Sequence, residues 1–587
     1  MARSTITAVA LCIALALWIA PGLALDPQST LAGDWRHPDC LGNHWLLVWM
    51  AERILSFESL LHNPLYYWPH GDAPWLAGNG SEGFLYLPFH LLFDWPASAN
   101  AYVLSLLLGN GLAGYYLGRS AGAGPWASLV VAATTGCSVY VNLELSAGRF
   151  SQGDLLWLLT SIACFLKLLN TPSVRLAVIT GILFALCAFF YFYYGLFLLL
   201  ALVVIGAVHR VGKATLPWKE IVITGATAAV LIAPILVLFM SHWSSIPGTN
   251  EGFPHPMVSF DSIRPSLFLS PQGSPQQASQ TVAAPILVLA LLQTYRLAQR
   301  RSEAPLLEAG LLGVVVLFWW LALGPAGGLW TWLYGSAEPL KRFWWPYRHV
   351  VLIGPCLGIL AARALRNTGR NQPLTAILVA LSIPLSLSLQ QSRSKMDTTP
   401  VRTPPPVYPE LASRPEKVLL SVPFTAGATG SQAPLIYQFY HQKPMLNGHA
   451  PWVDRVRPEA WDQMVQSNTF LAQLASLEQG TSQNEVVFEA EDLSALIEDG
   501  LGLFVVDREL VPTDLWQMVQ GYNEVFNALF GAPILSTNEV QVYSATNWNG
   551  QSTVAFKGFS WPSKVQRPSK NRLLGGLHPR SPMFNPR

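Results

Sequence analysis

The sequence predicts a mainly α protein: a polytopic membrane bundle of about 11 transmembrane helices, followed by a C-terminal soluble α/β domain. Three observations predict it. The 587 residues are 51% hydrophobic and 12% charged, where an average soluble domain is about 25% charged. The charge is uneven: residues 1–390 hold 36 Asp, Glu, Lys and Arg, and residues 391–587, half as many, hold 34. Eleven separate runs approach the roughly 20 apolar residues that cross a hydrocarbon core. The net charge of +2 gives no basic field for nucleic acid.

The runs lie at 6–25, 99–117, 125–141, 153–170, 175–191, 194–209, 218–240, 282–298, 306–324, 348–364 and 373–390. Arg3 and Gly22–Leu25 give the first run some features of a signal peptide, but its length favours a retained anchor. The fifth and sixth runs are split at Tyr191–Gly195, because the whole is too long for one span and a tyrosine cluster suits an interface. With the N-terminus inside, thirteen Lys and Arg fall on inside segments and seven on the longer outside segments. The positive-inside bias then places residues 391–587 outside. Five cysteines lie in apolar runs and Cys40 stands alone in a loop, so there is neither a disulfide framework nor a zinc pattern.

Inside connections are short. The outside loops, 26–98, 142–152, 241–281 and 325–347, are long and rich in aromatic and polar residues. Loops of that length in a compact protein usually carry function. The first contains Asp34, His37 and Asp39, then a helical pattern over 44–62 that suits an interface, then the aromatic loop Asn63–Trp75. A carboxylate just beyond the first helix, at the edge of a low-dielectric medium, suits a general base or a cation ligand. Its plain alternative is a turn cap. The second loop carries Glu144, Arg149 and Gln152; the third carries His242, His255, Asp261 and Arg264 at spacings with no metal signature.

Residues 391–417 are rich in Pro, Ser and Thr and read as a linker. Within 418–545, Lys417–Phe424, Leu435–Tyr440, Gly502–Val506 and Glu539–Tyr543 read as strands, and Glu459–Gln479 and Pro512–Phe530 as helices. No phosphate-cradling glycine motif or nucleophile elbow is present. Residues 546–587 form a tail that is basic and proline-rich towards its end, expected to be disordered and to meet anionic headgroups.

Three patterns carry a resemblance. They are Asn63-Pro64…Trp68-Pro69-His70-Gly71, Phe343-Trp-Trp-Pro346-Tyr-Arg348, and Val418…Pro423-Phe424 followed by Tyr437-Gln438…Lys443-Pro444…Asn447-Gly448. With an acid soon after the first helix, the chain resembles the type C superfamily of membrane glycosyltransferases, in a bacterial branch with a C-terminal extracytoplasmic domain. The resemblance implies a bacterial inner-membrane enzyme that moves a sugar from a polyprenyl-phosphate lipid to an acceptor on the outer face. It implies Asp34 as base or as ligand of a divalent cation (Mg or Mn), with His37 and Asp39 beside it. It implies Arg348 as contact to the lipid phosphate, and Arg149, Gln152, Glu144 and Arg264 as further substrate contacts. Asp34 and Asp39 are spaced more widely than the close acid pairs that many members carry. Two other readings stand beside the enzyme. A transporter or flippase would place charges near the midplane, where these runs have few. A non-catalytic relative would serve envelope assembly through its soluble domain.

Overall fold

The computed structural model describes residues 2–555, less Arg36, Pro38, 72–80, 213–215, 242–278, 338–339, Arg342, Trp344, 367–370, 391–394, Arg402, 425–432, 449–457, 479–484 and 509–515. Each of the eleven predicted runs contains helix. Among the described residues, seven stretches are long and apolar enough to cross a membrane: Ser128–Ser146, Phe150–Asn170, Phe192–Gly212, Trp218–Val237, Pro305–Ala322, Pro346–Leu365 and Gln372–Leu389. Arg3–Ile19, Val174–Phe190 and Ala284–Ala298 are apolar but shorter. The split at Tyr191 is real: one helix ends at Phe190 and the next starts at Phe192.

The helix Ala97–Ser120 is diluted by Ser98, Asn100, Ser105 and Asn110. Its asparagines explain the dilution. Asn100 donates to the carbonyls of Pro27 (2.8 Å) and Thr30 (2.7 Å) and accepts from the Ala32 amide (3.1 Å). Asn110 donates to the Gly153 carbonyl and accepts from the Leu155 amide, both at 2.7 Å. Each satisfies buried backbone groups of an adjoining irregular segment. Those two segments lead into the first and second loops.

The last helix exposes Leu374, Leu378, Leu381, Leu385 and Leu389, each more than half. Their three- and four-residue spacing makes one apolar face, which suits lipid. At the far end of the bundle from the first loop, Arg363 meets Glu308 at 2.6 Å and the Ala121 carbonyl at 2.9 Å, and Gln293 donates to the same Glu308 oxygen. This buried pair joins the helices that carry Glu308 and Arg363, and Gln293 adds a third.

The C-terminal part has a four-stranded mixed sheet in the order β3-β5-β7-β6. β3 (Val418–Val422) runs parallel to β5 (Leu501–Asp507), and β7 (Val540–Ser544) pairs antiparallel with β5 and with β6 (Leu535–Ser536). The expected strand at 435–440 is instead the helix Ala433–His441. Its aromatic and branched residues suit a strand, but buried Leu435, Gln438 and His441 repeat at helical spacing, and packing overrides propensity. The helix expected over 459–479 breaks at Asn468, whose side chain caps Thr469–Glu478 by accepting from the Leu471 amide. The segment 391–417 is built into the fold. β2 (Thr398–Pro400) pairs antiparallel with β1 (Thr30–Ala32), and Val407–Leu411 is helical. In the tail, β8 (Thr553–Ala555) pairs with β4 (Glu485–Val487); residues 556–587 lie outside the described residues.

The aromatic first loop and the soluble domain form one joint. The Met445 amide donates to the Leu65 carbonyl (2.9 Å), the Tyr67 amide to Asn447 (2.9 Å) and the Trp68 amide to Met445 (3.0 Å). Gln438 donates to the Leu65 carbonyl at 2.7 Å and accepts from the Trp45 indole at 2.9 Å. Trp45 sits in Cys40–Leu55, which is shorter than the helical pattern read over 44–62 and mostly buried. A Cβ added at Gly448 would lie 2.1 Å from the Tyr67 ring. We therefore expect Gly448→Ala to lower stability by about 1–3 kcal/mol through overpacking. Thermal melting of the purified variant in detergent checks this; an unchanged melting temperature would show that the joint is loose.

Candidate functional site

The first loop reaches the second through backbone bonds. Gly33 donates to the Asp397 carbonyl (3.0 Å), and Asp34 donates to the Ser146 carbonyl (2.8 Å). The Ser146 hydroxyl accepts from the Asp397 amide at 2.8 Å. Gly148, at φ +72°, lets the second loop pass Cys40: a Cβ there would lie 2.6 Å from the Cys40 Cα. The Asp34 backbone is thus clamped between the second loop and the strand after the last helix, while its side chain stays partly exposed.

The second loop is tighter than expected over 142–152. Val139–Ser146 and Phe150–Gly153 are helical, leaving 147–149 as the turn between them. Arg149 in that turn donates through Nε to Asp39 Oδ2 (2.7 Å) and through a terminal nitrogen to Glu144 Oε2 (3.2 Å). Glu144 is fully buried, and its other oxygen accepts from the Tyr347 hydroxyl at 2.6 Å. Its burial is affordable because both carboxylate oxygens are bonded. Three sequence-predicted residues therefore meet: Asp39 and Arg149 pair, and Glu144 braces them; Gln152 lies one turn on, its backbone carbonyl accepting from the Tyr194 hydroxyl.

Arg348 lies on the same side of the bundle, next to Tyr347. It is 6% exposed and sits in a box of rings, with Cζ 5.5 Å from Tyr191, 4.9 Å from Tyr193, 5.3 Å from Trp345 and 5.8 Å from Tyr347. One terminal nitrogen donates to the Tyr191 hydroxyl. Its Nε is buried without a partner, and among the described residues no carboxylate forms an ion pair with it. Rings stabilise a guanidinium without neutralising it.

His37 accepts at Nδ1 from the Asp39 amide (3.2 Å). Burial, with Arg149 close by, pulls it down to about 4 against the opposing pull of Asp39, Glu144 and Asp34. Its imidazole is therefore neutral at neutral pH. Arg149 holds Asp39, and among the described residues no three His, Cys, Asp or Glu side chains are set to hold a metal. Arg264, His242, His255 and Asp261 lie outside the described residues.

Sequence reasoning missed Ser146 and the roles of Tyr191, Tyr193 and Tyr347. The Tyr191–Gly195 cluster was visible, but it read as an interface; only the fold brings it and Tyr347 around Arg348. Two cavities adjoin the site. A small cleft between the first loop and the C-terminal part is lined by Leu31, Trp35, Trp95 and Tyr437. Another is lined by Ser138, Tyr140, Gln280, Thr281, Val350 and Gly354. Tyr140 pairs with the Tyr347 ring at 6.2 Å.

No family model and no curated protein matches this sequence. Solved structures do. The arabinofuranosyltransferase AftD from Mycobacteria aligns at a TM-score of 0.55 and 15% identity, over 93% of this chain and 42% of that one. This chain thus spans less than half of AftD. The oligosaccharyltransferase of Archaeoglobus fulgidus, solved with a tethered acceptor peptide, aligns at 0.48 and 13% identity, over 88% of this chain and 70% of that one. ArnT from Cupriavidus metallidurans, solved with undecaprenyl phosphate, aligns at 0.37 and 14% identity, over 92% and 98%. The likeness to AftD is one of fold, and it runs over 93% of this chain.

Proposed function

We propose that the protein is a membrane glycosyltransferase that moves a sugar from a polyprenyl-phosphate lipid to an acceptor on the extracytoplasmic face of a bacterial inner membrane. The observation that carries this reading is Arg348, a buried guanidinium with an unpartnered N–H and no carboxylate ion pair among the described residues, a few side chains from a clamped, partly exposed carboxylate. A lipid phosphate supplies the missing anion, since guanidinium matches phosphate oxygens. The type C fold and the apolar helices agree with such a donor. The outward face rests on the thirteen-to-seven split of Lys and Arg.

The donor's phosphate sits at Arg348, with the cavity beside Tyr140 and Val350 as the lipid-side approach. The acceptor enters by the cleft at Trp35 and Tyr437. Asp34 takes the proton from the acceptor nucleophile as it attacks the anomeric carbon, and the lipid phosphate leaves towards Arg348. Asp39 holds Arg149, and so keeps the second loop against the first. His37, being neutral, carries no charge in this step.

The decisive experiment is transfer in proteoliposomes. Purified protein receives polyprenyl-phosphate donors bearing radiolabelled sugars, with cell-envelope extract as acceptor source. Labelled product is expected with at least one donor. No transfer from any donor, by protein that is folded and does not bind polyprenyl phosphate, would sink the reading and leave a non-catalytic envelope role.

A further inference from the structure

Next to Arg348 in the chain stands a histidine that the proposed reaction does not use. His349 lies in the tight turn Pro346–Leu352 that carries Arg348, and its partner Tyr334 lies in Leu329–Gly335, a short helix of the fourth outside loop. Both side chains are fully buried. The His349 Nε2 meets the Tyr334 hydroxyl at 2.6 Å, and Nδ1 meets the Pro346 carbonyl at 2.8 Å. A carbonyl only accepts, so Nδ1 donates to it, and in that tautomer Nε2 accepts from the hydroxyl. The ring packs on Phe197 at 4.4 Å and on Phe318 at 5.9 Å between centroids. His349 thus closes its own turn with one nitrogen and ties that turn to the fourth loop with the other.

A second path runs from the same tyrosine to the same arginine. The Tyr334 ring stacks on Phe343 (5.5 Å, 22°), Phe343 packs on Tyr193 (4.7 Å), and Tyr193 lies 4.9 Å from the Arg348 Cζ. Tyr334 therefore reaches Arg348 twice: through the turn by way of His349, and through the box of rings by way of Phe343. Arg348 has little else to direct it. Ring contacts hold a cation without aiming its N–H groups. One terminal nitrogen goes to the Tyr191 hydroxyl, and Nε has no partner among the described residues. Bidentate capture of a phosphate depends on where the guanidinium fork points. We propose that Tyr334 and His349 are positioning residues that aim the Arg348 guanidinium at the lipid phosphate, so that the fourth outside loop helps to set donor affinity. This rests on the reading of Arg348 as the phosphate contact. Neither residue touches the donor; both act through Arg348.

The test is a double-mutant cycle on binding. Full-length protein in detergent is titrated with radiolabelled polyprenyl phosphate and, separately, with the unphosphorylated polyprenol. Tyr334→Phe removes one hydroxyl and keeps the ring on Phe343. It should weaken polyprenyl-phosphate binding by about 3–10-fold, within the coupling seen between residues in contact, and leave polyprenol binding unchanged. In an Arg348→Gln background, already weakened, the same change should add no further loss. His349→Asn keeps a nitrogen for the Pro346 carbonyl and loses the bond to Tyr334. It should match Tyr334→Phe, and takes its place if that variant does not fold. A merely structural pair would give equal losses for both lipids and in both backgrounds, and that result would overturn the proposal. Loss in Arg348→Gln with wild-type affinity in Tyr334→Phe and His349→Asn removes the positioning role and leaves the phosphate site standing. Absence of binding to the wild type, or wild-type affinity in Arg348→Gln, removes the phosphate site and this proposal with it.

Discussion

Asp34→Asn should reduce sugar transfer by about 10²–10⁴-fold, the contribution of a general base. The change keeps size and hydrogen-bonding capacity and removes only the charge. The local backbone should survive it, because the bonds that clamp this residue run from its amide to the Ser146 carbonyl and from the His37 amide to its own carbonyl, both at 2.8 Å. The side chain is partly exposed. The loss should therefore fall on kcat, with the KM for donor lipid and the melting temperature close to wild type. Transfer assays with saturating donor, run beside thermal melts, separate the two. Full activity in Asp34→Asn would remove Asp34 from the chemistry.

Asp39 is the comparison. Its Oδ2 takes the Arg149 Nε at 2.7 Å, so it is already committed. Removing its charge leaves Arg149 with Glu144 and the Tyr347 hydroxyl. That change should loosen the second loop and lower the melting temperature more than Asp34→Asn does.

The bundle was legible because helical runs announce themselves by length and hydropathy. Even the break at Tyr191 followed from those two quantities. The candidate site was legible in part. Asp34, Asp39, Glu144, Arg149 and Arg348 stand out as charges next to apolar runs. Their partners do not, because Tyr347 is 203 positions from Glu144 in the chain and Tyr191 is 157 from Arg348. Only folding brings such pairs together. The helix Ala433–His441 was misread for a related reason. Its residues favour a strand, and the packing that overrides them comes from the first loop, nearly 400 residues away at the Trp45–Gln438 bond.

Arg348 supports the sharpest test of the donor. Replacing it with Gln should raise the KM for the polyprenyl-phosphate donor by about 10–100-fold, the value of a hydrogen bond to a charged group at 1.5–3 kcal/mol. The effect on kcat should be smaller if the guanidinium meets the phosphate in the bound donor as well as in the transition state. Lysine should not rescue the loss. Four rings lie within 6 Å of the Arg348 Cζ, and they suit a flat, weakly hydrated cation over a compact, strongly hydrated ammonium. A purely structural role predicts a different pattern. If Arg348 only braces the rings, Gln and Lys variants would lose stability, and any lost activity would follow the folded fraction with KM unchanged. Binding of polyprenyl phosphate alone, read as a shift in melting temperature, gives the same answer without turnover. A wild-type shift that persists in Arg348→Gln would place the phosphate elsewhere and leave the buried cation to explain by other means.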